Sequence, residues 1–196
     1  MENPSRLILL FFVLIPCFFG LNFSAPAEFI HSSCKVTQYP ALCEKYLSVY
    51  PPAVHRSPSQ LAKAALNVTA NRALAVSNFI KRMPASGKDP TERKSHGGGA
   101  VRDCLETLND SVDRLRRSVT EVERMGRYGS RSFKWHLSNA QTWVSAALTD
   151  QNTCLDSLLQ DKSAAGVRVP IRRQIVAVSQ LTSNALALVN RLDSRN

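Results

Sequence analysis

Side chains able to do chemistry are few in this chain, and they are dispersed. His31, His55, His96 and His136 fall in separate segments, and no two share the spacing at which a helix offers two ligands to one metal ion. The sequence holds no Gly-x-Ser-x-Gly, no His-Glu-x-x-His and no phosphate-cradling glycine loop. Catalysis needs convergent groups, such as a nucleophile beside a base or two facing carboxylates. The chain therefore reads as a protein that is not an enzyme and needs neither metal nor cofactor. Two patterns remain. Glu106, Asp110 and Asp113 recur at i, i+4 and i+7, which aligns three carboxylates on one helical face. Cys34, Cys43, Cys104 and Cys154 form an even set beyond an apolar leader that holds Cys17, and disulfides are the chemistry expected of such a set in an oxidising compartment.

Helices must position these groups. Val101, Leu105, Leu108, Val112, Leu115, Val119 and Val122 alternate steps of four and three, an apolar stripe offset from the three acids. Upstream, Ser57 before Pro58 reads as a cap with proline at the first helical position, and Leu61, Ala65, Val68, Ala75, Phe79 and Met83 continue a helix over 58–83. Residues 84–99, with two prolines, four glycines and no apolar period, read as a flexible linker. A turn over Gly126–Ser130 precedes a third periodic stretch, Phe133–Leu159, and Gly166 with Pro170 separates a last one running from Ile171 to Leu192. Each stripe needs partners, so the expected fold is all-α, an up-and-down four-helix bundle. Residues 28–56, with two close cysteines around Tyr39-Pro40 and a Pro51-Pro52 close, read as a helical hairpin before it. Cys104 lies 25 residues before Gly129 and Cys154 lies 25 after it, so an antiparallel pair turning there brings them together. Cys104–Cys154 is the pairing this favours, and Cys34–Cys43 follows. Phe133, Trp135 and Trp143 could form a platform for sugar, but Trp143, beside Val144 and one turn before Ala147, is read as core.

The apolar run Leu7–Leu21 ahead of Ala25-Pro26-Ala27 reads as a signal peptide over residues 1–27, since it is shorter than a membrane span of about 20 residues. Its removal takes Glu2 and Arg6 together, so the net charge of +10 belongs to residues 28–196, read as one domain. A basic secreted protein can be drawn to an acidic matrix, an anionic membrane or nucleic acid. Neither a nucleic-acid motif nor a second apolar run accompanies the charge, so neither nucleic acid nor a membrane is an expected partner. Asn67-Val-Thr69 and Asn109-Asp-Ser111 are glycan acceptor sequons, of which Asn67 is expected to be used and Asn109 largely not.

Four blocks carry a resemblance to a known family. These are Cys34-Lys-Val-Thr-Gln-Tyr-Pro-Ala-Leu-Cys43, Asp103-Cys104 through Leu115, Thr142-Trp143 through Asp156, and Leu181-Thr-Ser-Asn184-Ala-Leu186. The chain thereby resembles the plant invertase and pectin methylesterase inhibitors along nearly all its mature length. The resemblance implies a four-helix bundle with an N-terminal helical hairpin and the same two disulfides. It also implies a free-standing inhibitor secreted to the apoplast and cell wall. Pectin methylesterase is the expected partner, its active-site cleft covered by the second, third and fourth long helices, with acidic pectin as a second. The alternative target on this scaffold is acid invertase, but Ser132-Phe133-Lys134-Trp135 lacks the proline of the Pro-Lys-Phe element common in invertase inhibitors. Glu106, Asp110 and Asp113, with Thr153 and Asp156, match enzyme-contacting positions of similar esterase inhibitors.

Overall fold

Side chains set the start of two of the four long helices. Ser57 stands extended and its hydroxyl accepts from the Gln60 amide, while Pro58 fills the first helical position, where no amide donor is needed. Ser130 does the same for the Phe133 amide at 3.1 Å. Gly126 and Gly129 take positive φ values of 70° and 74° in the turn between, a conformation that costs a side chain-bearing residue energy. The computed structural model describes residues 25–83 and 98–193. It shows α1 (Ala25–Cys34), α2 (Pro40–Leu47), α3 (Pro51–Val54), α4 (Pro58–Lys81), α5 (Gly98–Arg124), α6 (Arg131–Gln160), a 3-10 turn (Lys162–Ala164) and α7 (Ala165–Asn190). No strand occurs among the described residues.

The four long helices pack in a ring, α4 on α5, α5 on α6, α6 on α7 and α7 back on α4, with up-and-down connectivity. Leu61, Leu66, Leu108, Leu115, Val144, Leu158, Ile171 and Ile175 fill its centre. Burying each such side chain is worth roughly 1.5–3 kcal/mol, so these contacts dominate the stability of the bundle. The short helices α1 to α3 close one side, clipped by Cys34–Cys43 with Cα atoms 5.6 Å apart. Asn184, buried on α7, receives the Tyr39 amide and donates to the Tyr39 carbonyl, both at 2.9 Å, which docks the hairpin bend on the bundle.

Four boundaries and two core assignments differ from expectation, the first long helix ending at Lys81 rather than at residue 83. Gly98 and Gly99, placed in the linker 84–99, form the first turn of α5; residues 84–97 lie outside the described residues, as does the leader up to residue 24. The last helix starts at Ala165, so Pro170 lies inside it. Such a proline removes a backbone bond within the helix, and the helix start is held from outside: Arg168 donates to the Leu158 and Asp161 carbonyls at 2.8 and 2.7 Å, tying the start of α7 to the end of α6. The third helix begins two residues before Phe133, at Arg131 just after its Ser130 cap. On α4 the expected stripe drifts outward at Ala75 and Phe79, both exposed, while Ala73, Val76 and Ile80 face the core. Phe79 lies five whole turns after Leu61 on the same line, and that line is the edge of the stripe: the buried set Ala62, Ala65, Leu66, Ala73, Val76 and Ile80 is centred roughly a quarter turn away. Finally, Trp143 is half-buried rather than core, and Trp135 is 65% exposed.

Candidate functional site

The five predicted site residues share one pair of helices. Glu106, Asp110 and Asp113 are exposed on α5, and Thr153 and Asp156 are exposed on α6. Both helices are locked at this level. Cys104 and Cys154, fully buried, join them with Cα atoms 4.0 Å apart. Below the surface, Gln151 donates to Ser111 on α5 at 2.8 Å and to Thr182 on α7 at 2.9 Å, and the Thr182 hydroxyl returns a bond to Gln151 Oε1. A buried amide satisfied from two other helices fixes the register of all three, because any slip strands polar groups in a dry core.

Nearer the surface, the Arg114 guanidinium donates to Asp150 Oδ2 at 2.7 Å across the α5–α6 groove. Burial pushes the Asp150 carboxyl above its ordinary value of 3.8; Arg114 pulls it down, Asp110 pushes it up, and burial wins. Asp110 is thus electrostatically coupled to α6. The outer side of α6 has its own chemistry. Thr149 and Thr153 donate their hydroxyls to the carbonyls four residues back, at 3.2 and 3.0 Å, which leaves methyl groups and oxygen lone pairs for a partner. Carboxylates on α5 and hydroxyl acceptors on α6 make a face that accepts hydrogen bonds and suits cationic or donor groups.

Sequence reasoning missed Asp150, Gln151 and the role of Arg114. A signal was available, because Arg114 lies one position after Asp113 and an antiparallel register opposes it to the region around 144–150. Asn109 is half-buried, and its Oδ1 accepts from the buried Ser77 hydroxyl at 2.8 Å. Asn67 is exposed on α4. At the far end of the bundle a cavity of about 500 Å³ is lined by Lys63, Val122, Glu123, Met125, Tyr128 and Phe133, and its two charged groups satisfy each other at 2.7 Å. No cluster of three metal-ligating side chains occurs among the described residues.

Residues 28–188 match the family model described as plant invertase/pectin methylesterase inhibitor. Pectinesterase inhibitor 9 of Arabidopsis thaliana is 44% identical over 172 residues, covering 87% of this chain and 83% of its own. The 21 kDa protein of Daucus carota is 39% identical over 174 residues, covering 88% of both. Among solved structures, a mutant form of a pectin methylesterase inhibitor from Arabidopsis superposes with a TM-score of 0.59 at 21% identity, over 85% of this chain and 97% of that one. At that identity the likeness speaks for the fold, and it agrees with the helical bundle. By the extent of the family match and the identity of these relatives, the chain belongs to the plant invertase/pectin methylesterase inhibitor family.

Proposed function

We infer that this chain is a secreted inhibitor of pectin methylesterase that covers the enzyme's active-site cleft with the outer face of α5 and α6, assisted by α7. The carrying observation is that Glu106, Asp110, Asp113, Thr153 and Asp156 are all exposed on two helices held together by Cys104–Cys154 and Arg114–Asp150. A surface held rigid before binding loses little conformational freedom on docking, so its contacts count nearly in full. Relatives named as pectinesterase inhibitors favour the esterase over invertase as target. In the described residues no helix is long and apolar enough to cross a membrane. Residues 1–27 act as the cleaved leader and the cell wall is the site of action.

The test titrates the purified protein into a pectin methylesterase and, separately, into an acid invertase. Inhibition of the esterase alone is expected, and inhibition of invertase alone overturns the reading. Asp110→Ala and Thr153→Ala should keep helicity by circular dichroism and weaken inhibition, Asp110→Ala by about 2 kcal/mol or more if its charge is buried against a partner. Full inhibition by both variants would remove the face from consideration. The glycan belongs on Asn67; Asn109, held by Ser77, stays largely unmodified, which intact mass before and after glycosidase treatment reads directly.

A further inference from the structure

The outer stripe of α5 does not end with its acids. Glu106, Asp110, Asp113, Arg117, Thr120 and Arg124 continue the same alternation of fours and threes, and the stripe changes sign halfway. On α6 the stripe that carries Thr153 and Asp156 reaches back through Thr149 and Thr142 to Trp135 and Arg131, all exposed. Because the helices are antiparallel, Arg117 and Arg124 share the turn end of the face with Arg131 and Trp135. Arg117 shows the juxtaposition directly, its guanidinium lying 5.2 Å from the centre of the Trp143 ring on α6.

The acids nearest this half have partners of their own: Asp113, one turn before Arg117, lies 3.9 Å from Arg116. Glu121 accepts from His136 at 2.7 Å and Asn139 at 3.3 Å, and Glu123 is taken by Lys63 at 2.7 Å. None of the ion pairs among the described residues involves Arg124 or Arg131. Exposed guanidinium groups beside an indole that is 65% exposed call for a ligand with regularly spaced carboxylates and flat apolar patches. A chain of uronic acid sugars has both: guanidinium forks bind carboxylates, and the negative face of an indole attracts the polarised C–H groups of a sugar ring.

We propose that the turn-end half of the α5–α6 face, Arg117, Arg124, Arg131 and Trp135, binds a polygalacturonate chain, the de-esterified form of pectin. The identity of the polyanion rests on the proposed esterase target, because removing methyl esters from pectin uncovers galacturonate carboxylates beside the enzyme. The acidic half meets the enzyme while the basic half holds the anionic polymer that the enzyme leaves behind. Inhibitor is thereby concentrated where de-esterification has already occurred.

Affinity electrophoresis of the whole mature protein through gels containing polygalacturonate, fully methyl-esterified pectin or neutral dextran tests this. Retardation is expected in polygalacturonate alone. The double variant Arg124→Ala/Arg131→Ala should weaken binding about tenfold, as expected for two exposed charge contacts. Trp135→Ala, which keeps every charge, should weaken it about fivefold, the effect of removing an aromatic anchor. The control Arg172→Ala/Arg173→Ala removes two exposed cations from α7 and should bind as the parent does. An equal loss in that control would overturn the proposal in favour of diffuse net charge. So would retention equal in all gels, unchanged binding by Trp135→Ala, or tighter binding to phosphatidylserine vesicles than to polygalacturonate. Esterase inhibition is assayed in parallel and should be unchanged for the Arg124→Ala/Arg131→Ala and Trp135→Ala variants, whose residues lie outside the five proposed enzyme contacts at the disulfide end. Polygalacturonate retention in a protein that inhibits no esterase would sink the enzyme target alone, whereas esterase inhibition without retention would sink this site alone.

Discussion

The two halves of the α5–α6 pair present opposite chemistry on one continuous face. At the disulfide end, carboxylates and threonines stand over a polar interior of Gln151, Ser111 and Thr182. At the turn end, arginines and an exposed tryptophan stand over Phe133, Met125 and Leu192, with Tyr128 edge-on to Phe133 at 5.0 Å. From residue 106 to residue 124 the helix rises roughly 27 Å, about three screening lengths at physiological salt, so the two fields do not cancel. A net charge of +10 therefore conceals a face with a negative end and a positive end. Specificity on such a face comes from where the charge sits along a rigid rod, and the interior beneath each end sets how firmly it is held.

The most forceful way to break the comparison is to remove the staple. Replacing both Cys104 and Cys154 by serine opens a crosslink spanning 50 residues, for which chain entropy gives a loss of about 4 kcal/mol. Melting temperature measures the loss. Hydrogen exchange measures its location, and it should accelerate more over residues 104–113 and 149–158 than over 117–124 and 131–140. Uniform acceleration would mean that the two ends are one cooperative unit.

A smaller and more local perturbation sharpens the same contrast. Gln151→Leu keeps the volume but removes the amide that Ser111 and Thr182 share, leaving the Ser111 hydroxyl in a dry core. The single Thr182 hydroxyl hydrogen, for which Gln151 Oε1 and the Val178 carbonyl compete at 3.0 Å each, turns wholly to Val178, so the expected loss is about 2 kcal/mol rather than twice that. Urea unfolding measures it. A neutral or stabilising result would show that apolar packing alone sets the register at this end.

Much of this arrangement was legible in the sequence because it follows from one mirror. Reflection about Gly129 pairs Cys104 with Cys154, and it also brings Ser118 to the Ala140 carbonyl and Glu121 to His136. The α5 stripe was equally plain, since Leu108, Val112, Leu115 and Val122 are all buried. What periodicity missed has physical causes. Small residues blur the stripe of α4, where alanines face both core and solvent, and Pro170 looked like a boundary because the bonds that hold the first turns of α7 to α6, made by Arg168, are tertiary contacts. The five candidate residues were nameable individually, but the pair beneath them was missed, because the mirror about Gly129 sets Arg114 opposite residue 144 and its actual partner, Asp150, lies six positions further on. Only packing shows that this carboxylate is shielded.

That pair supports the smallest and most specific prediction. The Asp150 carboxyl is raised in the folded protein by burial, against the pull of Arg114, with Asp110 adding to the rise. A carboxyl raised on folding favours the fold while protonated. Its contribution is complete below the ordinary value of 3.8 and is lost as pH climbs through the raised midpoint. Asp110→Asn removes one raising charge without touching the Arg114 bond, so the Asp150 midpoint should fall toward 3.8 and the acid-side dependence of stability should flatten. Carbon-detected NMR of the Asp150 carboxyl follows the midpoint, and urea unfolding between pH 3.5 and 6 follows the stability. The arginine half supplies the contrast: Arg124→Ala, at the other end of the same stripe and beyond a screening length, should leave the Asp150 midpoint where it is. If Arg124→Ala moves that midpoint as far as Asp110→Asn does, the two halves share one electrostatic environment. The acid end would then be tuned by the charge of the whole face rather than by its own neighbours.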